Sequence, residues 1–234
     1  MALHEHRFPT DLHWREKKAG EYVQKIFYSA GDGVIGGWIR PGTYDVYISR
    51  GIEYDLDIQR GVVVEPGGNT ALFGTLKRVV DTTHYISADL HIHSGKSLDS
   101  SLALDGRVIS GASEGLEIAV ATDHNYVTDY APAISRNGLG DWMSSMIGVE
   151  LSTLEMGHFN AFPLEYTVGA SSHFPFVEHC YKDNEDKVNE SAFDWVECTP
   201  AKLFDQLRRL RPGDRSYYET LVQVNHARDS ILGY

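Results

Sequence analysis

The segment at residues 88–94, Ala-Asp-Leu-His-Ile-His-Ser, constrains the fold more than any other part of this sequence. Apolar and polar residues alternate through it, which predicts a strand over residues 86–94. Side chains two residues apart on a strand share a face, so His91 and His93 project the same way as the carboxylate of Asp89. This arrangement is a starting point for a divalent metal site, although a surface strand can also carry two histidines without that role.

A polar residue at the end of an apolar strand recurs along the second half of the chain. Strand ends converge on one face in barrels and in open α/β sheets, so these residues are expected to meet there. One such histidine is commonly structural, whereas the repetition favours a metal site. After His91 and His93, the residues at the carboxyl ends of predicted strands are His124, Glu150 and His226, and His158 begins the strand after Glu150, from where it could reach the same face.

The organisation of the chain changes near residue 84. Over residues 22–80, short alternating runs are separated by turns rich in glycine and proline, which predicts part of an antiparallel β-sandwich. Beyond residue 83, predicted strands alternate with helices, as is typical of α/β domains. We therefore predict a β-sandwich-like segment over residues 1–84 and an α/β domain over residues 85–234.

Local signals place two helices in the α/β domain. One is predicted over residues 107–114 and is ended by Gly115, and the other begins with Thr199 as its N-cap and extends to about residue 211. Residues 168–198 are polar and irregular, so they are expected to form a long loop or insertion. Residues 1–21 are expected to form a solvated lead-in.

Composition excludes some classes of function. The chain has 234 residues, enough for one large domain or a domain with a smaller companion, and a net charge of −12. That charge argues against a nucleic acid as the main partner but not against a small anionic substrate. The sequence has neither a membrane-spanning apolar run nor a signal peptide. Cys180 and Cys198 are either paired or free, and the compartment stays open.

Taken in order, several segments resemble the successive motifs of the PHP (polymerase and histidinol phosphatase) metal-dependent hydrolases. They are Asp-Leu-His-Ile-His-Ser at 89–94, Ala-Thr-Asp-His-Asn at 121–125, Gly-Val-Glu at 148–150, Gly-His at 157–158 and Asn-His at 225–226. The flanking segments at 42–47, 49–54, 157–160 and 225–228 are similar to the carbaryl-hydrolase-like (CehA/McbA) branch of that family. In that branch a β-sandwich segment precedes the PHP domain.

The resemblance implies a distorted (β/α)7-type barrel with a centre of two or three divalent ions. Zinc is favoured, and manganese or iron also suit a mixed set of histidines and carboxylates. Glu150 would bridge the ion bound by His91 and His93 to a second ion. The metal ligands that the resemblance implies are His91, His93, Asp99, His124, Glu150, His158 and His226.

The remaining implied ligands divide between two ions. His158 and His226 would complete the second ion, and Asp99 would join His124 at a third. The family's motifs end with an Asp-x-His pair that supplies one ligand each to the first and third ions, and this sequence has no such pair after residue 226. The expectation is therefore a barrel that is incomplete at its C-terminus, with an open edge that permits self-association.

The predicted function is metal-dependent hydrolysis of a small substrate, with a phosphoester preferred. The candidate catalytic residues are Asp123 and His124 as proton carriers, although Asp123 also suits a loop cap. Asp89 either orients a ligand imidazole or accepts hydrogen bonds from backbone amides. Carboxyl ester or carbamate hydrolysis, a catalytically incomplete metal-binding module, and a protein in which the histidines are incidental remain alternatives. No nucleic-acid or membrane partner is expected.

Overall fold

The computed structural model describes residues 2–4, 23–153, 156–165, 199–208 and 220–229, which form a mixed α/β fold. The loop predicted over residues 168–198 lies outside the described residues. No helix among the residues described is both long enough and apolar enough to cross a membrane. The strands are β1 (Ala2–His4), β2 (Ile26–Tyr28), β3 (Gly42–Ser49), β4 (Asp57–Val64), β5 (Ala88–Ile92), β6 (Ile118–Ala121), β7 (Ser144–Ile147), β8 (Val149–Ser152), β9 (His158–Phe162) and β10 (Leu221–Val224). The helices are α1 (Leu104–Ser113), α2 (Ala131–Arg136) and α3 (Pro200–Arg208).

The chain divides into two compact units, each built from separate stretches of sequence. Unit 1 comprises Met1–Ala88, Asp105–Glu117 and Ala133–Ser144, and unit 2 comprises Asp89–Leu104, Ile118–Pro132 and Ser145–Tyr234. The predicted division into domains 1–84 and 85–234 stays a prediction.

Unit 1 is built on a four-stranded antiparallel sheet in the order β2-β1-β3-β4. The prediction of a solvated lead-in is wrong for Ala2–His4, because β1 pairs with both β2 and β3. A three-residue strand carries too short a pattern to be recognised, and its partners lie far away in the sequence, with Ala2 opposite Tyr28 and Ser49. The described part of unit 1 contains this one sheet, so the β-sandwich is not confirmed.

Unit 2 contains two three-stranded sheets, in the orders β5-β6-β7 and β10-β9-β8. In the second sheet both strand pairs are antiparallel. A (β/α) barrel needs parallel neighbours joined by helical crossovers, and the described strands form no closed barrel, so that expectation is not confirmed. The apolar residues of β8 and β9 pack with Leu203 and Leu207, which are four residues apart on α3 and form one apolar stripe.

Several element boundaries follow from local chemistry. Thr199 caps α3 as predicted, because its hydroxyl accepts a hydrogen bond from the backbone N–H of Lys202 (3.3 Å). Gly115 follows α1 with a φ of 82°, a conformation that favours glycine. Strands β7 and β8 are divided at Gly148, where a Cβ would lie only 2.8 Å from the carbonyl oxygen of Ala121. Helix α2 was not predicted because its six residues are too short to show a helical period.

Candidate metal centre

Glu150, on strand β8, is fully buried and lies at the centre of a cluster of histidines. Five imidazole nitrogens lie between 2.9 and 3.5 Å from its carboxylate oxygens. They belong to residues from separate parts of unit 2, namely His91, His93, His124, His158 and His226. The structure therefore brings together every histidine that the sequence assigned to the metal site.

The five imidazoles form a closed ring around this carboxylate. In the order His91, His93, His124, His158, His226 and back to His91, neighbouring ring centroids are 4.9, 4.5, 5.2, 4.8 and 6.1 Å apart. Imidazole nitrogens and carboxylate oxygens are common ligands of divalent transition metals. The ring thus concentrates ligand atoms of the type that a divalent ion requires.

Strand pairing explains how two of these histidines, His158 and His226, reach the same edge of a sheet. His158, the first residue of β9, lies opposite Ser152 at the end of β8. The last residue of β10, Val224, lies opposite Phe159, so His226 follows at the same edge. Because the pairing is antiparallel, the beginning of β9 meets the ends of β8 and β10, as the sequence prediction for His158 requires.

The two oxygens of Glu150 have different surroundings. Oε1 accepts a hydrogen bond from the side-chain amide of Asn225 (2.8 Å) and lies 3.2 Å from a nitrogen of His158. Oε2 is buried and makes no hydrogen bond, although nitrogens of His93 and His124 lie 3.3 and 2.9 Å away. A buried carboxylate oxygen without a hydrogen bond is costly to maintain. Because Oε2 faces two imidazoles and has no hydrogen-bond donor, it is suited to bind a cation.

Asp99 extends the cluster on a more exposed side. Its carboxylate lies 3.5 Å from Nε2 of His124 and 3.7 Å from Nδ1 of His93, and its side chain is 54% exposed. The hydroxyl of Ser97 links the same two histidines, since it contacts Nδ1 of His93 (2.9 Å) and accepts a hydrogen bond from the backbone N–H of His124 (2.8 Å). The loop after β5 therefore holds Asp99 and Ser97 against the ring.

Three groups in this cluster place their ligand atoms within 4.8 Å of one another and could hold an ion. They are His91, His93 and Glu150; His93, Asp99 and His124; and His124, Glu150 and His158. The cluster can therefore hold a divalent metal ion. The assignment of individual residues to particular ions stays a prediction, and His226 approaches the cluster through its 3.5 Å contact with Glu150.

The electrostatics suit ligation by neutral imidazoles at two of the five histidines, His93 and His158. Burial lowers the pKa of His93 and His158, which favours their neutral forms with a lone pair available. Burial also opposes protonation of His124, but its contact with Glu150 outweighs burial and raises its pKa. For Glu150, burial acts to raise the pKa, and the neighbouring His124 and His91 outweigh it and hold the pKa well below its usual range.

The two aspartates considered beside the ligands have other contacts. Asp123 is fully buried, and its carboxylate accepts hydrogen bonds from the backbone N–H (2.5 Å) and the hydroxyl (2.8 Å) of Ser94. These contacts favour a positioning role, and its predicted catalytic role stays a prediction. Asp89 is exposed and accepts a hydrogen bond from the backbone N–H of His91 (3.0 Å), which is the structural alternative for that residue.

Sequence reasoning missed three polar residues beside the ligands, of which Asn225 contacts Glu150 and Ser152 contacts His124. Asn225 and Asn160 are buried and hydrogen-bonded to one another (2.7 Å), and the hydroxyl of Ser152 contacts Nδ1 of His124. Asparagine is depleted in strands, so Asn160, two residues after His158 and on the same strand face, offered an available signal.

Neither protein-family models nor curated proteins gave a match to this chain. The resemblance to the PHP hydrolases therefore stays a prediction from its motifs, and the candidate metal centre depends on the geometry described above.

Proposed function

We propose that this protein is a metal-dependent hydrolase with a di- or trinuclear centre of divalent ions, which acts on a phosphoester. The observation that carries the proposal is the Glu150 carboxylate, which is buried inside a ring of five histidines and has one oxygen without a hydrogen bond. Zinc is the proposed metal, and manganese or iron are compatible with the same ligand types.

A purely structural role does not account well for this cluster. A structural polar network normally satisfies its buried groups, and an unsatisfied carboxylate oxygen costs several times the net gain of an ordinary hydrogen bond. Replacing a whole buried group of ionisable residues by well-packed apolar ones is often neutral or stabilising. The arrangement is more easily explained if the buried oxygen and the neutral imidazoles serve a cation.

The residues of the cluster would have distinct roles in this function. His91, His93 and Glu150 would hold one ion, and Asp99 with His124 would help to hold another. Divalent ions bound there would supply Lewis-acid activation of water and neutralise charge on the substrate.

The more exposed members of the cluster indicate where a substrate would approach. The side chains of Asp99, His226 and His91 are 54%, 33% and 29% exposed, whereas His158 is only 8% exposed. Because Ser94 occupies the carboxylate of Asp123, this carboxylate would act as a positioning group, and His124 would carry a proton only in a state in which it does not bind an ion.

A phosphoester is preferred because bound divalent ions would make the site locally positive on a chain whose net charge is negative. The chain has a net charge of −12, so its surface repels anions in general. Neutral imidazoles contribute no negative charge to offset bound cations, so a loaded centre would form a local positive region. A carboxyl ester or carbamate, which gains negative charge only in the transition state, is the alternative substrate class.

Metal analysis followed by a substrate screen tests the proposal. We expect at least two equivalents of zinc, manganese or iron by elemental mass spectrometry, and hydrolysis of p-nitrophenyl phosphate or bis(p-nitrophenyl) phosphate. Faster hydrolysis of p-nitrophenyl acetate than of either phosphate would move the assignment to the ester class. Folded protein with no bound metal, and none taken up when zinc is added, would overturn it.

A matched pair of histidine variants makes the test specific. His93→Ala should reduce bound metal and activity, because His93 contacts Glu150 and belongs to two of the candidate ligand groups. His84 is an exposed histidine of unit 1 with a φ of 70°, and asparagine tolerates that conformation. His84→Asn should leave metal content and activity unchanged.

A further inference from the structure

Two buried asparagines, Asn225 and Asn160, form a hydrogen-bonded chain that ends on Glu150. The amide of Asn225 donates to Oε1 of Glu150 (2.8 Å) and to Oδ1 of Asn160 (2.7 Å), and the amide of Asn160 donates to the backbone carbonyl of Leu90 (2.9 Å). Asn160 is fully buried and Asn225 is 2% exposed. These hydrogen bonds connect strand β5, which contains Leu90 and His91, with the carboxylate at the centre of the histidine ring.

The groups at its two ends fix which atoms donate and which accept in this series of hydrogen bonds. The Leu90 carbonyl can only accept, so the Asn160 side chain must turn its NH2 group towards Leu90 and its oxygen towards Asn225. Asn225 must then present its own NH2 group to that oxygen, and its second N–H is directed to Glu150. Neither amide can be reversed without placing two acceptors or two donors face to face.

The backbone around Asn225 is also fixed. Its N–H donates to the carbonyl of His158 (3.0 Å), and its side-chain oxygen accepts a hydrogen bond from Gln223 (3.2 Å). Asn225 therefore has a partner for both amide hydrogens, its oxygen and its backbone N–H. A group this constrained can hold the carboxylate that it contacts in one orientation.

We propose that Asn225, held in place by Asn160, is a positioning residue that commits Oε1 of Glu150 to the amide and leaves Oε2 open to a divalent cation. This inference rests on the proposed function and deepens it, because it explains why one carboxylate oxygen is hydrogen-bonded while the other is not. Without the amide, Oε1 would keep only its contacts with the imidazoles of His158, His91 and His226, and the orientation of the carboxylate towards the bound ion would be less strictly fixed.

The zinc affinity of the 234-residue chain tests the inference and is measured by competition with a chromophoric chelator. We expect Asn225→Ala to bind zinc about 10- to 100-fold more weakly than the wild type, the usual consequence of removing a group that orients a metal ligand. Asn160→Ala, which keeps the Asn225 amide but removes the group that fixes its direction, should weaken binding by a smaller factor. The cobalt-substituted Asn225→Ala protein should also show a changed visible absorption spectrum, which a loss of packing away from the metal would not produce.

Asn137→Ala is the matched control. Asn137 also donates its side-chain amide to a carboxylate, that of Asp105 (2.6 Å), but it lies in unit 1 and outside the histidine cluster. It should lower the melting temperature of the metal-free protein without changing zinc affinity or the cobalt spectrum. If Asn225→Ala does not fold, Asn160→Ala alone decides the question.

The outcomes separate this inference from the proposed function. Wild-type zinc affinity and an unchanged cobalt spectrum in folded Asn225→Ala would overturn the positioning role and leave the metal-dependent function in place. An equal loss of affinity in Asn137→Ala would also overturn it, because the effect would then be one of general stability. A wild-type chain that carries no zinc, manganese or iron and takes up no added zinc would overturn both.

Discussion

Glu150 in unit 2 and Asp45 in unit 1 are both carboxylates on strands, but their surroundings differ. Asp45 lies on β3, is 44% exposed, and pairs with Arg60 (2.8 Å) and the backbone N–H of Gly61 (3.0 Å). Glu150 is fully buried and is surrounded by imidazoles. Water stabilises the first carboxylate whether or not its partner is present, whereas the second depends entirely on its protein neighbours.

The identity of those neighbours explains why only one of the two carboxylates is a candidate functional group. The guanidinium of Arg60 is permanently charged and already neutralises Asp45. The histidines around Glu150 include two whose pKa is lowered by burial, so the site offers ligand atoms without a permanent counter-charge. A buried carboxylate without a permanently charged partner favours binding of a cation. The expected difference in metal binding between Glu150 and Asp45 can be tested.

The largest effect is expected from Glu150→Gln, which keeps the size of the side chain and removes its charge. Glu150 belongs to two of the three candidate ligand groups, so zinc affinity should fall by more than the roughly 100-fold upper range for residues that only orient a ligand. Competition with a chromophoric chelator measures the change. A zinc affinity equal to that of the wild type would show that Glu150 is not a metal ligand and that it does not differ from Asp45 in this respect.

Zinc should stabilise the folded chain, and the effect should be concentrated in unit 2. At a free concentration about 100 times its dissociation constant, a ligand that binds only the folded state raises the free energy of unfolding by about 2.7 kcal/mol. Urea unfolding with and without EDTA measures this change. Hydrogen exchange should show slower exchange in β8 and β9 when zinc is present, with β3 and β4 unaffected. Protection confined to β3 and β4 would place the metal in the wrong unit.

Gly148→Ala should destabilise the protein by about 1–3 kcal/mol, the usual cost of an overpacked site. A Cβ at this position would lie 2.8 and 2.9 Å from the carbonyl oxygens of Ala121 and Ala161, which are backbone atoms and cannot easily move. Gly36 in unit 1 has no atom within 4 Å of the equivalent position, so Gly36→Ala serves as the control. Equal urea midpoints for the two variants would show that the backbone of β6 and β9 can move away from residue 148 to admit a methyl group.

The smallest effect is expected from Asp45→Asn. Its partner Arg60 is on the surface, and exposed ion pairs contribute little to stability. Melting temperature and metal content should both stay within the scatter of the wild-type measurements. A loss of bound metal in Asp45→Asn would show that the Glu150 result reflects a general loss of negative charge rather than a specific site.

Much of the candidate site could be predicted because ligand residues carry a local signature. His91, Glu150 and His226 each stand at or near the end of an apolar run, and the structure gathers all three. The helix signals at Thr199 and Gly115 were readable for the same reason, since an N-cap and a left-handed stop depend on the residue itself.

The features that sequence reasoning missed depend on partners that are distant in the sequence. Strand β1 is defined by its pairing with β2 and β3, and no pattern within Ala2–His4 reveals it. The antiparallel pairing of β8, β9 and β10 likewise could not be predicted from the alternation of strands and helices. Pairing between strands is a non-local choice that hydrophobic periodicity does not encode.

The sequence by itself determined which residue types are available for metal chemistry and which strand ends carry them, because the period of a strand fixes the direction of each side chain. Only the tertiary structure decided that Glu150 is the central residue of the cluster and that Asn225 holds one of its oxygens. Those two residues are 75 positions apart, and burial of a carboxylate has meaning only once the surrounding donors are in place. The chemistry of the ligands is local, whereas their arrangement depends on packing and strand pairing across unit 2.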